Sequence, residues 1–145
     1  PLVKTLPSCV EAILNADLII LGPGSFLTSV IPPLLVRDIS NALKQTKAHR
    51  VFIDNIVAEN SPAGSLSLDE KLDWIEENIG CLPIDSVICH DSTITSKRIS
   101  VCHHELSSDT VSHYHSRDKL ISALNACISN AAKNRETALP AAANS

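Results

Sequence analysis

The chain has 145 residues, 44% of them hydrophobic and only 3% aromatic, which is enough apolar matter for one folded domain and too much for a disordered chain. Its formal net charge is −4, and its Lys and Arg residues are scattered rather than gathered into a stripe, which argues against nucleic-acid binding. No apolar run approaches the ~20 residues that a membrane span requires.

With Phe26, Phe52, Trp74 and Tyr114 as the only aromatic residues, the core has to be built from Leu, Ile, Val and Ala. That composition suits a sheet covered by helices. The five cysteines, Cys9, Cys81, Cys89, Cys102 and Cys127, are odd in number and form no C-x-x-C pair, so reduced and mostly buried thiols in a cytoplasmic protein are expected. The opening Pro1-Leu2-Val3-Lys4 carries neither a signal peptide nor an initiator Met, and the reading is of a piece of a longer chain.

In chain order, residues 7–15 predict a short helix with Ser8 as its cap and Glu11 completing the signal. Asp17-Leu18-Ile19-Ile20-Leu21 is a short, β-branched apolar run that stops at Gly22, the pattern of a strand buried on both faces. After the Gly-Pro-Gly turn, Pro32 and Pro33 open a helix from Leu34 to Gln45, with Leu35, Ile39, Ala42 and Leu43 on its inner side. Val51–Ile56 predicts a second strand. Ser67 and Glu70 then form a capping box for a helix over Leu68–Ile79, with Leu72, Ile75 and Ile79 inward and Gly80 ending it.

Ile84–Cys89 predicts a third strand, and short strands are expected at Arg98–Cys102 and Thr110–Tyr114. A last helix spans Arg117–Asn130 with Leu120, Ile121, Leu124 and Ile128 inward, and residues 133–145 are expected to be a flexible tail. Strands alternating with helices at this spacing imply a mostly parallel sheet with right-handed crossovers in a single domain over residues 1–132.

The strongest chemical signal is Gly22-Pro23-Gly24-Ser25. Ligands in open parallel sheets sit beyond the carboxyl ends of the strands. Two glycines let amides approach a ligand, Ser25, Thr28 and Ser29 add hydroxyls, and a following helix directs positive potential to the same place. These features suit a phosphate or pyrophosphate, although the block is neither G-x-G-x-x-G nor a P-loop, and a plain strand-to-helix turn reads the same way. Asn55, beyond the second strand, is a candidate for a base or sugar and Asp54 for a hydroxyl; either could equally just finish the strand. The polar loop Glu59–Ser65 is a candidate lid or an idle connection. Cys89-His90, Cys102-His103-His104 and His113/His115 lie in one region but lack zinc-finger spacing, so no metal site is assigned. No nucleophile or carboxylate pair is announced.

The run Ala16-Asp17-Leu18-Ile19-Ile20-Leu21-Gly22-Pro23-Gly24-Ser25-Phe26-Leu27-Thr28-Ser29, followed by Pro32, resembles the gluconeogenesis factor family, within the superfamily of CofD, the 2-phospho-L-lactate transferase. That pattern continues into a helix and a strand ending in Asn, here Asn55, and the resemblance runs to about Asn130. It implies a Rossmann-like three-layer sandwich corresponding to the carboxyl-terminal half of longer members. It also implies a nucleotide or nucleotide-sugar ligand such as a UDP-sugar, and a regulatory role in cell shape and envelope metabolism. The alternative is a transferase moving a phospholactyl group from a nucleotide-activated donor to a deazaflavin. A third possibility is an interaction module with an inert turn. Where members often carry Arg-His-Asp before the last helix, this chain has Tyr114-His115-Ser116-Arg117-Asp118. The ligand-binding set expected is therefore Gly22, Pro23, Gly24, Ser25, Thr28, Ser29, Asn55 and Arg117, with no metal. Self-association, or association with an amino-terminal half, is also expected.

Overall fold

A computed structural model describes residues 4–137, with the side chains of 131–132 and 134–137 outside the description. Four strands form one parallel sheet in the order β1-β2-β3-β4: β1 Leu18–Leu21, β2 His49–Ile53, β3 Ser86–Cys89 and β4 Ser100–His103. Side chains alternate across the sheet, so each strand feeds two cores. Leu21, Phe52, Val87 and Cys89 face the helices that follow β1 and β2. Val51, Ile53 and Ile88 face the other way, against Leu106, Ala123 and Cys127. The parallel sheet is what the alternating pattern implied, and helices on both faces make the three-layer α/β sandwich that the resemblance implied.

Helix α1, Pro7–Leu14, begins on Pro7, and Ser8 lies inside it rather than capping it. Proline suits a first turn because the missing N–H would have no helical partner there. The helix expected over Leu34–Gln45 is broken: α2 at Ile31–Leu34, entered from a π turn at Phe26–Val30, ends where it should begin, and α3 starts afresh at Arg37–Gln45. The break leaves Leu35 53% exposed, not inward. Helix α4, Leu68–Ile79, has the expected capping box, and Gly80 ends it with φ +77°.

The sheet turns to β4 without a crossover helix. Instead residues 91–98 are pinned to α4: Ser96 donates to Asp69, and Arg98 pairs with Asp73 and Glu76. The strand expected at Thr110–Tyr114 is absent. That stretch is turns, enclosed by an antiparallel bridge between Ser107 and His115, and the Ser108 hydroxyl bonds the Thr110 hydroxyl and accepts from the Thr110 amide, a local alternative to strand pairing. Helix α5 runs Arg117–Thr137, past the expected end at Asn130, since no breaker intervenes before Pro140. Residues 138–145 of the expected tail lie outside the described residues. The inner stripe of α5 is Ala123 and Cys127 with the expected Leu120 and Leu124 beside them, partly buried, whereas Ile121 is exposed.

Strand β1 is an edge strand. Ile20 is 45% exposed, so β1 is not covered on both faces as its apolar run suggested. Among the described residues no helix is long and apolar enough to cross a membrane.

The thiols provide a direct check on this packing. Burial pushes Cys89 up to about 12, helped by Asp54, and burial with the neighbouring Cys127 pushes Cys102 up to about 11. Cys9 is exposed, whereas Cys89 and Cys127 are buried. With Ellman's reagent at neutral pH, Cys9 should react at once and Cys89 and Cys127 only after unfolding. Prompt reaction of all five thiols in the native state would contradict the core described.

Candidate functional site

The carboxyl ends of β1, β2 and β3 converge on one rim. Leu21 leads into Gly22, whose φ of +76° is a conformation that favours glycine. A Cβ on Gly22 would lie 2.9 Å from the Ile53 carbonyl, so the turn can press against the end of β2 only without a side chain. Gly24 is nearly as tight, with its would-be Cβ 3.3 Å from the Ser29 Cβ. From the β2 side, the Asn55 side-chain Nδ2 donates to the Gly24 carbonyl at 3.1 Å. Phe26 is buried and meets Trp74 of α4 edge-on, with centroids 6.1 Å apart. The turn is thus held by β2 on one side and α4 on the other.

Asp54 is buried at the end of β2. Its carboxylate accepts from Lys71 Nζ at 2.7 Å and from the Asn55 backbone N–H at 3.0 Å. Glu59 reaches back to the turn, where its carboxylate accepts from the Phe26 amide at 2.9 Å. Burial opposes ionisation of Glu59, but that amide, the Ser25 and Ser61 hydroxyls and Lys71 outweigh it and hold the carboxyl below its ordinary value. At least one amide of the turn is therefore engaged by the protein's own carboxylate.

Two clefts flank the segment Asn55–Glu59. One, of about 350 Å³, is lined by Pro23, Gly24, Asn55, Glu59, His113 and His115. The other, of about 420 Å³, includes Asp54, Ser67, Lys71, Asp91, Thr93 and Thr95. Among the described residues Lys71 is the only lysine or arginine lining either cleft, against the carboxylates of Asp54, Glu59 and Asp91.

Of the residues singled out from sequence, Pro23, Gly24 and Asn55 line the smaller cleft, and Ser25 meets Glu59. Gly22 and Ser29 line a separate apolar groove of about 220 Å³ beside β1. Thr28 is exposed on the π turn. Arg117 is exposed at the start of α5 and lines neither cleft. Glu59 as a turn contact, Lys71, Asp91 and the histidine pair were not in the expected set. The alternation of His113 and His115 was the available signal; a loop folded back by the buried Leu106, rather than a strand, brings both to the rim. Among the described residues no group of three or more His, Cys, Asp or Glu is arranged to hold a metal ion.

Burial lowers the His115 pKa from its ordinary 6.5; a hydrogen bond to the Asp54 backbone opposes the shift and His90 adds to it. A depressed value means that the unfolded chain takes up the proton first as pH falls. Stability tied to neutral His115 should be fully present above about pH 6.5 and be lost as pH drops through the lower folded value. His115→Gln should flatten that part of a denaturation-versus-pH curve. Identical slopes for the two proteins between pH 7 and 5 would remove this assignment.

Residues 2–130 match the profile of the family described as 2-phospho-L-lactate transferase CofD. A Pasteurella multocida protein whose name carries the words gluconeogenesis factor is 39% identical over 127 residues, covering 86% of this chain and 41% of that relative. A Vibrio cholerae relative with the same name is 38% identical over 126 residues, with coverage of 86% and 43%. The crystal structure of a UPF0052 family protein from Bacillus halodurans aligns with a TM-score of 0.72 at 26% identity, over 84% of this chain and 47% of that one. The chain spans about two fifths of the length of these curated relatives. Matched by the family model from its second residue to Asn130 and superposing on the Bacillus halodurans structure over most of its length, this chain belongs to the CofD family.

Proposed function

We propose that the chain forms part of a nucleotide or nucleotide-sugar site, with a UDP-sugar as the preferred ligand, in a cytoplasmic regulatory protein that acts on cell shape and envelope metabolism. The observation that carries the ligand class is the contact between Glu59 and the Phe26 amide. A carboxylate already rests at the Gly-Pro-Gly-Ser turn, so the turn has the donors an anionic oxygen needs. Its position beyond the carboxyl ends of β1 and β2 is where parallel sheets bind ligands, and the larger cleft beside it has hydroxyls and carboxylates suited to a sugar. The relatives named as gluconeogenesis factors support the regulatory part of the reading.

Titration calorimetry with UDP-glucose is the test. Saturable binding that Gly24→Val weakens by tenfold or more is expected, because valine would crowd Ser29 and push the turn out of place. Absence of binding by UDP, UDP-glucose and other nucleotides at millimolar concentration would end this reading.

The matching profile's own description favours a second reading, a transferase that passes a phospholactyl group to a deazaflavin. Turnover of a deazaflavin acceptor separates the two. The open edge of β1 and the exposed Ile20 support association along that edge, either with a second copy or with the additional length that the relatives have.

A further inference from the structure

We propose that Glu59 is a gate on the Gly-Pro-Gly-Ser turn: its carboxylate holds the Phe26 amide in the free chain, and an anionic ligand takes the turn by displacing that carboxylate. The inference rests on the anion-binding reading above and adds the residue that sets how readily the turn accepts a negative group.

Three observations carry it. The carboxylate lies where a ligand oxygen would lie, 2.9 Å from the Phe26 amide and beside the Ser25 and Ser61 hydroxyls. Glu59 also lines both clefts, so its side chain stands between the two spaces a ligand would use. Finally, the charge balance there is unfavourable to an incoming anion. Lys71, the only lysine or arginine among the described residues lining the clefts, is already committed to Asp54 at 2.7 Å, and Glu59 and Asp91 add further negative charge. An anion entering with Glu59 in place meets repulsion and finds the amide engaged. With the side chain swung aside, it gains the amide and the hydroxyls together.

The moving part is the side chain, not the loop. Ala63 is fully buried, the Ser61 amide donates to the Glu59 carbonyl at 2.9 Å, and the Gly64 amide donates to the Ser61 carbonyl at 2.9 Å. Gly64 lies so close that an added Cβ would sit 1.9 Å from the Glu59 oxygen. The backbone from Glu59 to Gly64 is therefore a fixed mount. The polar loop that sequence suggested as a lid is anchored, while its first side chain, attached through rotatable bonds, remains free to turn.

The experiment compares the chain with Glu59→Gln and Glu59→Ala by calorimetry at low ionic strength, with inorganic pyrophosphate and UDP-glucose as probes. Glutamine keeps the shape and an acceptor for Phe26 while removing the charge, so it reports on repulsion without loss of the fold. Both variants should bind pyrophosphate about threefold to tenfold more tightly than the parent, the range expected for one solvent-screened charge contact. Equal or weaker binding by both variants, with the parent binding normally, would overturn the gate and leave the anion site standing. No binding of either probe by any of the three proteins would remove the anion site and the gate together. Hydrogen exchange at the Phe26 amide gives a readout without ligand: it should accelerate in Glu59→Ala, and an unchanged rate would mean the carboxylate does not hold that amide.

Discussion

Gly22→Ala is expected to lower stability by about 2–4 kcal/mol and to abolish binding at the rim. Two effects add. Alanine at φ +76° carries the ordinary left-handed penalty of about 1–2 kcal/mol. Its Cβ would also press on the Ile53 carbonyl at 2.9 Å, and that atom is backbone at the end of a central strand. Relief requires the turn to lift off β2, which breaks the Asn55 bond to Gly24 and shifts the Phe26 amide. Gly80 provides the control. It has nearly the same φ, +77°, but only the end of Lys44, at 3.8 Å, lies near its would-be Cβ. Gly80→Ala should therefore cost only about 1 kcal/mol and leave ligand binding intact. Urea denaturation of the two variants measures the difference. Equal losses would mean that the close approach of Gly22 to Ile53 has no energetic weight.

Asp85→Ala should cost about 2–3 kcal/mol of stability without touching the rim. Asp85 lies just before β3, at the opposite end of the sheet from the turn. Its carboxylate accepts from Arg50 Nε at 2.9 Å, from the second guanidinium arm at 2.6 Å and from the Arg50 amide at 2.8 Å, while Arg50 also donates to the Leu43 carbonyl at 3.0 Å. Alanine would leave a half-buried guanidinium and a backbone amide without their acceptor. Burial alone would raise the Asp85 pKa; the bonds and charge of Arg50, with His49 adding, hold it below its ordinary 3.8. The stability this supplies is present above about pH 4 and is lost as pH falls through the folded value. Parent and variant should thus converge in stability under strong acid. A gap that persists undiminished at pH 2 would show that the carboxylate's charge is not its source.

The two substitutions divide the molecule by role. Gly22 and its neighbours lie at the carboxyl ends of the strands, where geometry is constrained by close approach. Asp85 and Arg50 lie at the amino ends, where an ion pair fastens β2 to β3. A variant that loses stability at Asp85 but retains binding, beside one at Gly22 that loses both, would map that division.

What was legible in the sequence is what short-range physics decides. Helix α4 could be read with its ends because the Ser67–Glu70 box, the apolar spacing of Leu72, Ile75 and Ile79, and Gly80 all act within about a dozen residues. The parallel sheet followed from the alternation of strands and helices, and the Gly-Pro-Gly-Ser turn from its own residues. Failures came where distant parts decide. The Leu18–Leu21 run is apolar whatever stands beside it, so its place at the edge of the sheet could not be seen. Ile121 and Ala123 share a helix, and only the packing of α5 on β2 and β3 settles which is covered.

By itself, then, the chain's order of residues determined most of the elements, the parallel α/β architecture and the presence of a small-residue turn after β1, because propensity, capping and backbone freedom are properties of neighbours. The tertiary structure alone decided what occupies that turn. Glu59 and Phe26 are 33 residues apart and meet only because the chain crosses back to lay β2 beside β1. Lys71 reaches Asp54, and His115 reaches the same rim, for the same reason: a site at the ends of parallel strands is assembled by crossovers, and no local pattern records which side chains they bring together.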